Sequence, residues 1–240
     1  MKQEPVHAAM QPFIEGKVLL IDKPLRWTSF DIVKKIRALT HVSKIGHAGT
    51  LDPLATGLLI ICTGKFTKSI NDYMGMEKEY TGCFTIGATT ATYDLESRPG
   101  NITDISLVTQ EQVYAATQQF IGNIQQMPPI FSALKIEGKP AYKLARKGKE
   151  VILEPRPVTI SAFEITGIEL PNIYFKVVCS TGTYIRSLAN DYGAALGVGA
   201  YLSSLRRTRI GHFLVEDALS VNAIYHQVKD MYAAVEQQPQ

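Results

Sequence analysis

Short apolar runs alternate along the chain with polar stretches rich in glycine and proline. Val18–Ile21 and Leu58–Cys62 are unbroken apolar runs of strand length, the pattern of buried strands. Between them Ile32, Val33, Ile36 and Leu39 recur at helical spacing behind Thr28 and Ser29, and either of these can cap a helix running to about Thr40. Thr67–Met74 predicts a short helix. Glu79–Gly87 predicts a strand with Tyr80, Phe84 and Ile86 on one face by the period of two. After a polar loop from Ala88 to about Asp104, Thr109 and Gln112 form a capping-box pair for a helix to about Phe120, with Gly122 as its stop. Ser132–Ile136 is a strand candidate, Glu137-Gly138 a turn, and Ala141–Lys147 a short basic helix. Val158–Leu170 and Ile173–Ser180 predict two strands joined at Pro171-Asn172. Ile185, Leu188, Ala189 and Tyr192 then mark a helix, Leu202–Phe213 a strand, and Ala218 to about Ala234 a last helix. The opening residues 1–14 are polar with two prolines and predict a loose arm. Hairpin-type strands interleaved with helices predict an α+β fold, with a mixed, largely antiparallel central sheet flanked by helices in a single domain over 15–240.

One stretch breaks this pattern in an informative way. Gly46–Gly57 reads GHAGTLDPLATG and carries a single carboxylate, Asp52, directly before Pro53. A residue ahead of proline is driven out of the α region toward extended backbone. Asp52 is therefore displayed on a stiff, non-helical loop that leads into the apolar run at Leu58, at the mouth of the sheet. From spacing alone, a turn-forming Asp-Pro and a displayed reactive carboxylate both fit.

Charge adds a possible partner. The formal charge of +3 over 240 residues is only mildly basic, but its distribution is uneven. Lys135 to Glu150 holds six basic residues against two acids, and Arg206, Arg207 and Arg209 form a second cluster with no acid between Tyr201 and Val215. Two such clusters suggest a polyanion track as readily as two solvated faces. The three cysteines are far apart, odd in number and in no C-x-x-C, which fits a reducing cytoplasm better than a disulfide frame. No apolar run reaches membrane-spanning length, and no signal peptide opens the chain.

Several familiar chemistries fail on spacing. Six residues separate Gly57 from Gly64 where a phosphate loop needs four, and Phe66 stands where its Ser or Thr should be. Gly197-Val198-Gly199 lacks the third glycine of a dinucleotide fingerprint and follows a helix. The five histidines show no metal-ligand spacing, and no G-x-S-x-G occurs. A lone carboxylate on a stiff loop survives, and such a group can act as a nucleophile when its setting keeps it ionised and aimed.

Gly46–Gly57 resembles the signature of the TruB family, the bacterial tRNA pseudouridine synthases that modify uridine 55 of the T-arm. Leu20–Pro24 with Thr28-Ser29, Lys78-Glu79-Tyr80, Pro128–Lys135, Ser180–Arg186 and Leu205–Arg207 resemble the family's other segments in the family's order. The resemblance implies a pseudouridine synthase fold and isomerisation of a flipped uridine in the T-arm stem-loop of tRNA, with no metal or redox cofactor. It implies Asp52 as nucleophile, attacking ribose C1′ or base C6. Tyr80 would stack on the uracil and serve in proton transfer, and Arg186 would pair with Asp52. Tyr184 and Leu205 would line the base pocket, Lys23 and Lys68 would lie near it, and His47 would fill the space left by the flipped nucleotides. It further implies a cytoplasmic monomer, a short form without the C-terminal PUA domain of longer members, with 135–150 as a basic RNA-contacting insertion. Two other functions fit the same residues: an RNA-binding or tRNA-folding module with secondary catalysis, and a family synthase with a different target uridine. One departure stands out. Arg26 replaces the glycine that usually follows Lys-Pro-x, which puts the turn geometry there in question.

Overall fold

The computed structural model describes residues 4–132, 135–136, 139–140 and 153–236. In chain order the elements are α1 (Glu4–Glu15), β1 (Val18–Lys23), α2 (Ser29–Thr40), β2 (Ile45–Ala48), β3 (Ala55–Thr63), α3 (Ile70–Gly75), β4 (Lys78–Ile86), α4 (Gln110–Ala116), β5 (Gly122–Gln126), β6 (Lys135–Ile136), β7 (Lys139–Pro140), β8 (Arg156–Glu169), β9 (Asn172–Cys179), α5 (Ile185–Ala195), β10 (Ala200–Ile210), β11 (Phe213–Leu214), β12 (Leu219–Ser220) and α6 (Val221–Glu236). They divide into two compact units. The first combines the chain up to Lys78 with the chain from Arg206 onward, and the second is Glu79–Leu205.

In the first unit the strand order is β12-β1-β3-β10, with β2 also on β3 and β11 on β10. β1 runs antiparallel to β3 and parallel to β12, so the sheet is mixed. The apolar run in β3 explains this centre through its period of two. Leu59 and Ile61 join Ile21 in a core closed by Met10 and Phe13 of α1, Ile32 and Ile36 of α2, and Ile224 and Val228 of α6. Leu58, Ile60 and Cys62 face the other way, into a core with Ile210 and Val215 that Phe66, Ile70 and Tyr73 cover. A strand buried on both faces reads as a continuous apolar run. α2 begins where the sequence places it: Thr28 Oγ1 accepts from the Asp31 N–H while the Asp31 carboxylate accepts from the Thr28 N–H, a complete capping box.

In the second unit the order is β10-β4-β9-β8-β5, with β8 antiparallel to both β9 and β5. Phe84 of β4 stacks on Phe175 of β9 at 4.1 Å between ring centroids, and Phe163, Phe120 and Tyr192 surround the pair. Tyr192 is fully buried on α5, and its hydroxyl donates to the Val113 carbonyl at 2.7 Å. That bond satisfies the polar tip of an aromatic side chain that otherwise belongs to the core. Tyr80, Phe84 and Ile86 are buried together, as the alternation predicts. The Thr109/Gln112 capping box opens α4.

Several elements differ from the reading of the sequence. Residues 1–14 were expected as a loose arm, yet Glu4–Glu15 is helical with Ala9, Met10 and Phe13 buried. Pro12 removes one helical hydrogen bond, and burial of that apolar face against α6 and β3 offsets the loss. The Gly46–Gly57 loop is shorter than its motif: its ends are taken up by β2 and β3, leaving 49–54 as the loop proper. The helix expected at Thr67–Met74 is a 3₁₀ segment, Gly64–Ser69, followed by α3. The helix expected to reach Phe120 ends at Ala116, again with a 3₁₀ turn after it, and Gly122 opens the unforeseen strand β5. Ala218 was expected to start the last helix, but Leu219-Ser220 first pair with β1. Of the basic insertion, only the β6–β7 pairing, Lys135 opposite Pro140 and Ile136 opposite Lys139, is within reach. Its expected turn and helix lie outside the described residues.

The helical reading of the N-terminus has a direct test. Phe13→Ala is expected to cost about 3–5 kcal/mol of unfolding free energy, the usual range for emptying a buried phenylalanine site. Urea denaturation measures it, and a loose arm would give a change near zero.

Candidate active site

In the first unit the backbone around Asp52 is held at several points. The buried Ser29 hydroxyl accepts from the Leu51 N–H at 2.9 Å and donates to the Leu51 carbonyl at 3.2 Å. The Asp52 carbonyl accepts from the Ala55 N–H at 3.1 Å, and the Pro53 carbonyl accepts from the Arg26 N–H at 2.7 Å. Upstream, the Gly49 carbonyl accepts from Arg207 Nη2 at 3.1 Å. Arg207 is 1% exposed, and its Nε also donates to the Leu58 carbonyl at 2.8 Å. One buried guanidinium therefore joins both sides of the loop, Gly49 before it and Leu58 after it. The close approach needs Gly57, which sits at φ +102° where a Cβ would run into the Arg207 backbone. Asp52 itself is half-buried.

The turn at Arg26 keeps its shape without glycine. Arg26 adopts φ +67°, the left-handed region, and so its N–H reaches Pro53. The substitution alters the strain and the side chain but leaves the hydrogen bond in place.

Lys23 and His47 share this surrounding. Lys23 is fully buried, with Nζ donating to the Pro24 and Trp27 carbonyls at 3.0 and 2.7 Å. Burial lowers its pKa from 10.5 to about 8; the Asp52 charge opposes the shift and Arg207 adds to it. Lys23 and Asp52 are thus electrostatically coupled. His47, on β2 opposite Ile61 of β3, is held below its ordinary value of 6.5 first by burial and then by Arg207. A depressed imidazole pKa keeps His47 neutral at pH 7. Lys68 is placed elsewhere: it is exposed on the 3₁₀ segment beyond the far end of β3, and the strand's nine residues at about 3.3 Å each separate that end from the loop.

The arginine cluster is not the open polyanion track that charge counting suggested. Arg207 is buried as described. Arg206 makes a two-pronged pair with Asp22, at 3.0 and 2.8 Å. Arg209 pairs with Glu77 at 3.0 Å and donates to the Gly211 carbonyl. Each of the three arginines meets its own partners.

In the second unit the resemblance's residues lie on β4, α5 and β10. Tyr80 is buried on β4, and Leu205 is half-buried on β10. Tyr184 is the N-cap residue of α5, and its backbone is clamped by the buried Gln126, which accepts from the Tyr184 N–H at 2.8 Å and donates to its carbonyl at 3.1 Å. Arg186 is buried in the first turn of α5 and donates to the Phe131 and Thr92 carbonyls at 3.1 and 3.4 Å. Its Nε lies 3.7 Å from Asp94 Oδ2, and the Asp94 carboxylate is itself held by the Thr92 hydroxyl at 2.6 Å and the Glu96 N–H at 3.0 Å. Asp94 escaped sequence reasoning because it lies in an aperiodic Thr-rich loop, with nothing local to distinguish it from a turn former. Among the described residues no three or more His, Cys, Asp or Glu side chains group as a metal site, and no helix is long and apolar enough to cross a membrane.

This architecture, an α+β fold with a mixed, largely antiparallel sheet and helices packed on it, is that of pseudouridine synthases. The chain aligns with the solved Cbf5-Nop10-Gar1 complex at TM-score 0.70 and 29% identity, covering 98% of this chain and 62% of that one. A structure of an H/ACA RNP bound to a substrate RNA containing 2'-deoxyuridine aligns at TM-score 0.67 and 27% identity, over 94% of this chain and 57% of that one. The family model for the TruB family pseudouridylate synthase N-terminal domain matches residues 37–185, and that for the tRNA pseudouridylate synthase B C-terminal domain matches 186–240. The tRNA pseudouridine synthase B of Flavobacterium johnsoniae is 51% identical over 218 residues, covering 88% of this chain and 95% of its own length. That of Phocaeicola vulgatus is 50% identical, over 88% and 92%. The chain belongs to the TruB family of pseudouridylate synthases.

The buried lysine gives a pH signature. The folded state releases its proton near pH 8 and the unfolded chain near 10.5, so between these values the unfolded state binds more protons and stability rises with pH. This contribution is complete above 10.5 and lost as pH falls to about 8. Comparing unfolding free energies of the parent and Lys23→Met across pH 7.5–10.5 is expected to show that rise in the parent and its absence in the variant.

Proposed function

We propose that this chain converts uridine to pseudouridine at position 55 in the T-arm of tRNA, with Asp52 as the nucleophile. The observation that carries the reading is the loop: a carboxylate on backbone fixed at Gly49, Leu51, Asp52 and Pro53 by four separate hydrogen-bonded partners. Chemistry on a base requires the base to leave its stack, at a cost of a few kcal/mol. A nucleophile held in position removes a further ordering cost at the moment of reaction.

The reaction is an isomerisation that balances without a co-reactant. The bond between N1 of uracil and C1′ of ribose breaks, the base turns, C5 bonds to C1′, C5 loses its proton and N1 gains one. Asp52 attacks C1′ or C6 and is released unchanged. Tyr80 is assigned to the uracil face, where aromatic stacking is worth about 1–3 kcal/mol per base, and to proton transfer. Tyr184 and Leu205 are assigned to the pocket wall. Arg186 is assigned to pair with the carboxylate, and Asp94 to fix the guanidinium in one pose. His47, neutral at working pH, is assigned to the gap left in the RNA, and Lys23 to the electrostatics of Asp52. The basic insertion 135–150 is assigned to the phosphates of the folded arm, whose recognition depends more on shape than on sequence. A cytoplasmic setting agrees with three buried free cysteines, and a monomeric enzyme is part of the same proposal.

Asp52→Asn is the test. On an unmodified tRNA transcript it is expected to abolish pseudouridine formation while tRNA affinity stays within about threefold, because the substitution keeps shape and removes only the charge. Retained pseudouridine formation would refute the nucleophile, and mapping the product along a tRNA pool checks the target position.

A further inference from the structure

Beside the Asp52 loop the first unit carries an open cleft of about 460 Å³ lined by Arg26, Trp27, Asp31, Lys34 and Lys35. None of the roles above uses it. Its charge is lopsided: three cations face one acid, and that acid is already committed, since Asp31 Oδ2 accepts from both the N–H and the hydroxyl of Thr28 at 3.0 and 2.6 Å. The two lysines are held over aromatic rings, Lys34 at 4.8 Å from the Phe30 centroid and Lys35 at 5.5 Å from that of Tyr225. These poses order the ammonium groups without neutralising them.

Arg26 is the least economical residue in this part of the fold. It sits at φ +67°, which glycine adopts freely and an L side chain adopts at a cost of about 1–2 kcal/mol. Its backbone N–H bond to Pro53 would be made equally well by glycine. Its guanidinium is exposed and makes no hydrogen bond or ion pair among the described residues. The fold therefore bears strain for a side chain that it does not itself use, the pattern expected of a group kept for a ligand.

We propose that the Arg26–Trp27–Lys34–Lys35 cleft grips the phosphodiester backbone of the RNA strand that presents the target uridine, with Trp27 offering an apolar face to a ribose or base. The inference rests on the assignment of Asp52 as the reactive group. A single hydrogen bond joins Arg26 to the residue after Asp52, so a strand reaching Asp52 passes within reach of this cleft. A guanidinium and two ammonium groups match successive phosphates, and a partly exposed indole matches a nucleotide better than an acidic protein surface. The cleft uses none of the residues of the basic insertion 135–150, and it gives the chain a second anchor on the RNA.

Trp27 is the only tryptophan in the chain and reports directly on the cleft. An unmodified tRNA transcript is titrated into the full-length protein at several salt concentrations, with Trp27 emission and bound fraction followed in the parent, Arg26→Gly and Arg26→Gly/Lys34→Ala/Lys35→Ala. Glycine accepts the Arg26 backbone without strain, so misfolding cannot account for a loss in the single variant. The expected result is a saturable change in Trp27 emission in the parent. The slope of log affinity against log salt is expected to fall by about one in the single variant and by two to three in the triple, with an affinity loss of roughly tenfold or more in the triple. Unchanged slopes with unmoved Trp27 emission would overturn the proposal. Pseudouridine formation by the parent is measured on the same transcript. If it is absent, the functional reading fails, and the binding slopes still judge the cleft independently.

Discussion

The first unit depends on a buried charge. Arg207 gives one hydrogen bond to the strand after the Asp52 loop and one to the residue that opens it, from a site almost closed to water. Burying a guanidinium is costly unless its donors find acceptors with good geometry. The chain meets that demand with two backbone carbonyls, Gly49 of the loop and Leu58 of β3. In return the loop has one conformation. Burial is the main reason that His47 is neutral and that the pKa of Lys23 is low, and the Arg207 charge adds to both effects. Gly57 is the steric condition for all of this, because any side chain there would displace the Arg207 backbone.

The second unit uses a similar device. Arg186 lies buried between the Phe131 and Thr92 carbonyls and the Asp94 carboxylate, and Asp94 is fixed in turn by Thr92 and Glu96. A side chain locked by outer partners keeps its position within the tolerance that catalysis needs. In both units a buried arginine is held chiefly by backbone carbonyls, and in the second unit the Asp94 carboxylate joins them.

How much of this was legible in the sequence follows from what sequence patterns encode. β3 was legible because a strand covered on both faces must be apolar throughout, and α2 because Thr28 and Asp31 stand at capping-box spacing. The display of Asp52 was legible because Pro53 restricts it whatever the tertiary structure. Arg207 was not, since three clustered arginines look alike in the sequence, and burial is decided by what packs above. α1 was missed because Pro5 and Pro12 are local breaking signals, while the burial that overrides them comes from α6, more than two hundred residues away. Asp94 carried no periodic signal at all. The turn at Arg26 shows the converse: the departure in residue type was plain, but only the structure shows that the glycine-like backbone survived it.

The central claim is that Arg207 fixes the loop that presents Asp52. The most direct measurement is Arg207→Lys, followed by hydrogen exchange at residues 49–54 together with the single-turnover rate of pseudouridine formation at saturating tRNA. A lysine cannot span both carbonyls, so exchange in the loop is expected to quicken while that of β1 and β3 holds. The rate is expected to fall about a hundredfold, the scale of a displacement near 1 Å at a reacting group. Unchanged loop exchange together with an unchanged rate would contradict the account.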